Sequence, residues 1–225
     1  MPNITPNPRL AQILEQRCFF LFLALLTLLV ALPFLSEIPY GHIILTIVNV
    51  IVLLTAVAAV GRSRFSFVIA VILVLPALVF RFLALESGLV GYLALSWGFA
   101  AIFYVFILAD LLHYVFRRDS ITSDKLYGAV AAYILMAVLW AQLHGVTQYF
   151  HPGAYAFGGT PKALDITELI YFSFTTLATV GFGDITPALV HSRYLTVLEM
   201  VTGVMYVAIL IARLTGVYPV LPKKS

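Results

Sequence analysis

The chain has 225 residues, 62% of them hydrophobic and only 10% charged, with 13 Lys and Arg against 10 Asp and Glu for a net charge of +3. So large an apolar share over that length excludes an ordinary soluble domain and points to a chain whose solvent is lipid. The positive excess is accounted for by connecting loops and asks for no nucleic acid, and the single cysteine, Cys18, excludes an intrachain disulfide and is read as packing.

Residues 1–18 begin with Pro2, Asn3, Pro6, Asn7 and Pro8, a composition expected of a short disordered cytoplasmic lead. Apolar stretches close to the ~20 residues that cross a bilayer then run at 19–35, 41–60, 66–85 and 89–112. The first is longer than the apolar core of a signal peptide, and Pro33-Phe34-Leu35 is no small-residue cleavage site, so it counts as a span. Two more, 126–148 and 194–215, bring the expected spans to six, with a re-entrant helix and loop between the last two. In that interval Asp165 and Glu168 have the form of a capping box and predict a helix starting at about Ile166. Its apolar run reaches Ala178, and Thr179-Val180-Gly181-Phe182-Gly183-Asp184 follows. Non-helical backbone at membrane depth is tolerable only where protein or a water-filled path covers it, and an ion path supplies both.

Basic residues alternate between connections. Arg9 and Arg17 precede the first span, Arg62 and Arg64 the third, and Arg117, Arg118 and Lys125 the fifth, while Lys223 and Lys224 follow the last. Glu37 and Glu86 sit in the opposite, short loops. The basic side is cytoplasmic by the positive-inside rule, so both termini are expected there, and the loop at 149–192 opens outward with Asp184 at its mouth.

The strand 179–184 carries the chemistry. Gly181 and Gly183 can take backbone angles closed to residues with a Cβ, so that successive carbonyls turn to one side. Val180 and Phe182 are then expected to point back into the protein as packing, with the Thr179 hydroxyl adding an oxygen at the inner end. This strand resembles the TVGYG signature of potassium channels, whose carbonyls replace the hydration shell of the ion, with Phe182 in place of Tyr. The resemblance extends over about 126–216: Tyr171-Phe172-Ser173-Phe174-Thr175-Thr176-Leu177-Ala178 is similar to the pore helix and Ile185-Thr186-Pro187 to the filter exit.

That likeness implies a homotetramer in the bilayer, each chain giving one quarter of the pore, with K+ held by Thr179, Val180, Gly181 and Phe182 and the strand completed by Gly183. It implies an all-α membrane protein with a four-helix membrane domain at 19–118, a pore domain at 119–216 and a short cytoplasmic tail at 217–225. No cofactor is called for beyond the permeant potassium ion. Nothing supports an enzyme: there is no catalytic triad at recognisable spacing, no phosphate-binding loop and no metal-ligand cluster.

Four spans before a pore pair resemble the layout of voltage-gated channels, yet from Ser87 to His113 the only formal charge is Asp110. The arginines that a voltage sensor would move are missing there. Arg81, alone in the third span, is read as snorkelling to headgroups or pairing with Glu86. With the chain ending at 225, no ligand-sensing domain is expected after the last span.

In that span Gly203 stands where potassium-channel inner helices commonly carry a hinge glycine, with close helix packing as the other reading. Tyr206, Val207, Leu210 and Ile211 are expected to line or back the inner mouth, and Arg213 to reach the cytoplasmic headgroups. Glu199, the acid in the middle of a pore-lining span, is a candidate filter support, expected to bond the hydroxyl of Thr175 or Thr176 behind the pore helix. The other reading gives it a part in assembly alone. Asp110 and His113 share a helical face and read as a solvated helix end or a proton-sensing pair. Asn49 reads as interhelical glue, Trp97 and Trp140 as packing, and His144, His151 and His191 as solvated loop histidines.

The function these residues predict is passive, potassium-selective conduction without steep voltage gating. A poorly selective cation channel is the first alternative, because Ala178 replaces the second threonine that many potassium channels have before the filter. A non-conducting subunit or potassium sensor is the second.

Overall fold

The computed structural model describes residues 17–35, 41–60, 64–117 and 122–216. Arg9, Glu37, Arg62, Arg118, Lys223, Lys224 and the N-terminal lead lie outside the described residues, as do the side chains of Asn49 and Arg64. Seven helices appear within them: α1 (Arg17–Leu35), α2 (Gly41–Val60), α3 (Arg64–Ser87), α4 (Val90–Val115), α5 (Ser123–Phe150), α6 (Ile166–Leu177) and α7 (Val190–Gly216). Among the described residues, α1, α3, α4, α5 and α7 are long and apolar enough to cross a membrane. Helix α2 is a further 20-residue apolar helix, and α6, at 12 residues, is too short to cross.

Helix α5 is the hub. α4 lies along both α3 and α5, α1 packs on α2 and α5, and α6 is seated between α5 and α7. The sequence of α5 explains its place: Gly128, Ala129, Ala131, Ala132, Ala137 and Ala141 are buried and let neighbouring backbones come close. Cys18 is buried beside Gly128, and the Asp124 carboxylate accepts from the Cys18 amide and the Tyr114 hydroxyl, each at 2.9 Å, tying α1 and α4 to the start of α5.

The all-α expectation needs one addition. A three-stranded antiparallel sheet, order β2-β1-β3, forms from β1 (Tyr155–Phe157), β2 (Thr160–Pro161) and β3 (Ile185–Pro187). Strands of two or three residues are too short to show a two-residue period, so nothing local announces them. The sheet ties the connection before α6 to the segment leaving the candidate filter, pairing Phe157 with Ile185.

Candidate ion-filter site

The site begins with the cap of α6. The Asp165 carboxylate accepts from the amides of Thr167 and Glu168 at 2.8 and 2.9 Å, and Glu168 accepts from the Asp165 amide at 3.1 Å. This is the expected capping box, and the helix starts at Ile166. At the other end the chain does not leave the helix freely. The Thr179 amide donates to the Thr176 carbonyl at 2.9 Å, and the amides of Val180 and Gly181 both donate to the Thr175 carbonyl, at 2.8 and 3.1 Å. Thr175 and Thr176 therefore hold the strand through their backbones, while the Thr175 hydroxyl bonds the Phe172 carbonyl at 2.9 Å.

Backbone angles alternate along the strand. Thr179, Gly181 and Gly183 have φ of 57°, 55° and 82°, whereas Val180 and Phe182 are not in the left-handed region. Such alternation turns successive carbonyls to the same side, as an ion ladder requires. Among the described residues Thr179 is the one non-glycine with positive φ, and for a β-branched residue that conformation is strained. Sequence reasoning reserved it for the glycines.

Val180 and Phe182 are not buried by their own chain: 54% and 70% of their surfaces are exposed. One chain by itself does not cover them. Phe182 stacks on Tyr171, with ring centroids 6.3 Å apart and planes 2° from parallel. The Asp184 carbonyl accepts from the Gly158 amide at 2.8 Å, which pins the filter exit to the turn between β1 and β2.

Behind the pore helix Glu199 is fully buried, but Thr175 and Thr176 are not its partners. Its carboxyl bonds the hydroxyl of Ser173 through Oε1 and lies 2.8 Å from His144 Nε2 through Oε2. His144, also fully buried, contacts the Tyr155 hydroxyl through Nδ1 at 2.6 Å, and the Ser173 hydroxyl lies 2.6 Å from the Ala137 carbonyl. Ser173 lies on the buried face of α6 with Leu169, Ile170, Thr176 and Leu177, whereas Thr175 does not, and it is Ser173 that meets Glu199.

One assignment of hydrogens serves every contact along this chain. Tyr155 donates to His144 Nδ1, His144 Nε2–H to Glu199 Oε2, a protonated Glu199 Oε1 to Ser173, and Ser173 to the Ala137 carbonyl. The network is neutral in that arrangement and joins α5, α6, α7 and β1.

His144 is thus no solvated loop histidine. It lay within the predicted span at 126–148, and an ionisable residue inside a span is a site candidate on that ground alone. His151 caps the end of α5 and His191 lies in the first turn of α7, with their rings stacked 4.0 Å apart.

At Gly203 the structure shows close packing. Helix α7 runs unbroken through it, and an added Cβ would stand 2.1 Å from the Leu177 carbonyl oxygen. Tyr206 is buried and donates to the Ala129 carbonyl at 2.6 Å, so it backs the helix instead of lining a path. Val207 and Ile211 are exposed, and Arg213 bonds the Arg117 carbonyl at 2.8 Å. Asp110 and His113 make no mutual bond among the described residues, and Arg81 makes no ion pair with Glu86 but lines a cavity with Trp97.

The family described as "Ion channel" matches residues 131–218. The voltage-gated potassium channel Kch of Escherichia coli (strain K12) is 26% identical over 161 residues, covering 71% of this chain and 34% of its own length. The chain thus spans about a third of that relative. No solved structure matches. The region similar to that ion channel family holds the strand, the helix that presents it and most of both flanking helices.

Proposed function

We propose that this chain forms a homotetrameric channel with six spans per subunit that conducts K+ passively and selectively through the strand Thr179–Asp184. The observation that carries this reading is the alternation of left-handed and ordinary backbone from Thr179 to Gly183, held by the carbonyl of Thr175. Four such strands around one axis would present rings of carbonyl oxygens in place of water. The exposed Val180 and Phe182 then find their packing on neighbouring subunits. Both termini are cytoplasmic in this reading and Asp184 faces outward. The contacts of α1 and α4 with α5 of the same chain favour an assembly in which the first four helices stay beside their own pore helix and are not exchanged.

Reconstituted protein under a potassium/sodium bi-ionic gradient is expected to reverse near the potassium potential. Gly181→Ala or Gly183→Ala forces a Cβ onto φ of 55° or 82° and is expected to abolish that selectivity, with protein still recovered from the membrane. Potassium preference unchanged in both variants would remove the filter assignment. A wild-type reversal near zero would instead favour the poorly selective alternative, and no flux of any ion the non-conducting one.

Open probability is expected to change only shallowly with voltage. Each elementary charge crossing the field supplies about 2.3 kcal/mol per 100 mV, and α4 carries neither Lys nor Arg. Single-channel records across about 200 mV test this, and a slope demanding about three charges per subunit would contradict it.

A further inference from the structure

Away from the candidate filter, a cavity of about 70 Å³ lies among α1, α2, α3, α4, α5 and the start of α6. Among the described residues its polar lining comes from Arg81, Ser96, Trp97, Tyr104 and Gln142, and none of them is acidic. Trp97, Tyr104 and Gln142 are 5%, 1% and 4% exposed, so bulk water does not serve them. Only Ser96 is committed, donating to the Ala77 carbonyl at 2.9 Å. The indole N–H of Trp97 has no acceptor, and neither the Arg81 guanidinium, the Tyr104 hydroxyl nor the Gln142 amide has a hydrogen-bond or ionic partner among the described residues.

Uncommitted donors at membrane depth are costly, and an uncompensated guanidinium more so. Water could satisfy the neutral groups but not the charge. Arg81 also lines a groove of about 240 Å³ at the α3–α4 turn, with Gly88 and Leu89, and no acid among the described residues lines that groove either. The side chain therefore stands between an open rim and a closed interior in which every unspent polar group can donate a hydrogen bond.

We propose that this cavity binds one small monovalent anion of the size of chloride or nitrate, with Arg81 as the counter-charge and Trp97, Tyr104 and Gln142 as donors around it. The volume suits such an ion and excludes a lipid phosphate with its glycerol. Ile166 and Ile170 of α6 form part of the wall, so the site touches the helix that carries the strand. The proposal does not depend on the channel conducting.

The test is thermal unfolding of the purified full chain in detergent, with potassium gluconate replaced stepwise by potassium nitrate or chloride at constant potassium. A ligand that binds only the folded state raises the melting temperature with its concentration. We expect a saturable rise in the wild type, its loss in Arg81→Gln, and a half-saturating nitrate concentration about tenfold higher in Gln142→Leu. In gluconate alone Arg81→Gln should melt no earlier than wild type, since it removes a half-buried charge that has no counter-ion among the described residues. Identical wild-type melting in nitrate and gluconate overturns the proposal without need of any variant. So does a rise that survives Arg81→Gln, which marks a general salt effect. An Arg81-dependent rise produced by added phosphatidylglycerol but not by nitrate overturns it in favour of a lipid phosphate.

Discussion

Glu199→Val is expected to destabilise the protein strongly and disturb conduction, while Glu199→Gln leaves both near wild type. Valine removes the acceptor of His144 Nε2–H and one partner of Ser173; Ser173 keeps the Ala137 carbonyl, so the His144 N–H is the buried group left without a partner. Such an orphan costs about 1–3 kcal/mol. Glutamine reproduces the neutral acid: its amide N–H donates to Ser173 and its oxygen accepts from His144. Were the carboxylate ionised, Ser173 would have to surrender the Ala137 carbonyl to serve it, and glutamine would be a poor substitute. Thermal melting and single-channel recording of both variants separate these cases. A valine variant that melts early but assembles, with altered filter inactivation, supports a positioning role for the network behind α6. Wild-type currents in that variant remove the role, and failure to form tetramers assigns Glu199 to assembly. A double-mutant cycle with His144→Leu should show coupling above about 0.5 kcal/mol, as expected of residues in one network.

Gly203→Ala is the second large effect. Its Cβ would lie 2.1 Å from the Leu177 carbonyl oxygen, well inside van der Waals contact, and that oxygen is backbone and cannot rotate away. Helices α6 and α7 have to separate, and the filter strand leaves α6 directly after Leu177. Overpacking of this kind costs about 1–3 kcal/mol, and displacement of the strand is expected to abolish selective flux. The control is Gly98→Ala on α4, where no atom lies within 4 Å of the added Cβ and helix propensity alone favours alanine. An alanine at 203 that retains wild-type melting and flux would show that α6 and α7 are farther apart than the structure places them. A flexible hinge at this position predicts a different result, altered opening with normal selectivity and stability.

Local patterns carried far in this chain. The apolar runs announce where helices cross because every backbone polar group in lipid must be satisfied within its own segment. Asp165 and Glu168 fix the start of α6 because a capping box acts across one turn. The strand is legible from Gly181 and Gly183 because backbone freedom belongs to the residue itself. The strained φ of Thr179 was not, since it is imposed by the hydrogen bonds that tie the next residues to Thr175.

What only the tertiary structure decided involves partners far apart in sequence. His144 and Glu199 are 55 residues apart, Ser173 and Glu199 are 26 apart, and no spacing rule links residues on different helices. Glu199 was conspicuous as an acid inside a span, but which hydroxyl faces it depends on how α6 is rotated against α7. The same rotation sets Leu177 against Gly203. Arg81 was read against its sequence neighbour Glu86, yet its surroundings come from α4 and α5, which bring Trp97, Tyr104 and Gln142 to one cavity. Composition determined that this chain lives in lipid and residues 179–184 what backbone the strand can adopt; helix packing decided what supports that strand, because packing sets the distances over which buried polar groups find one another.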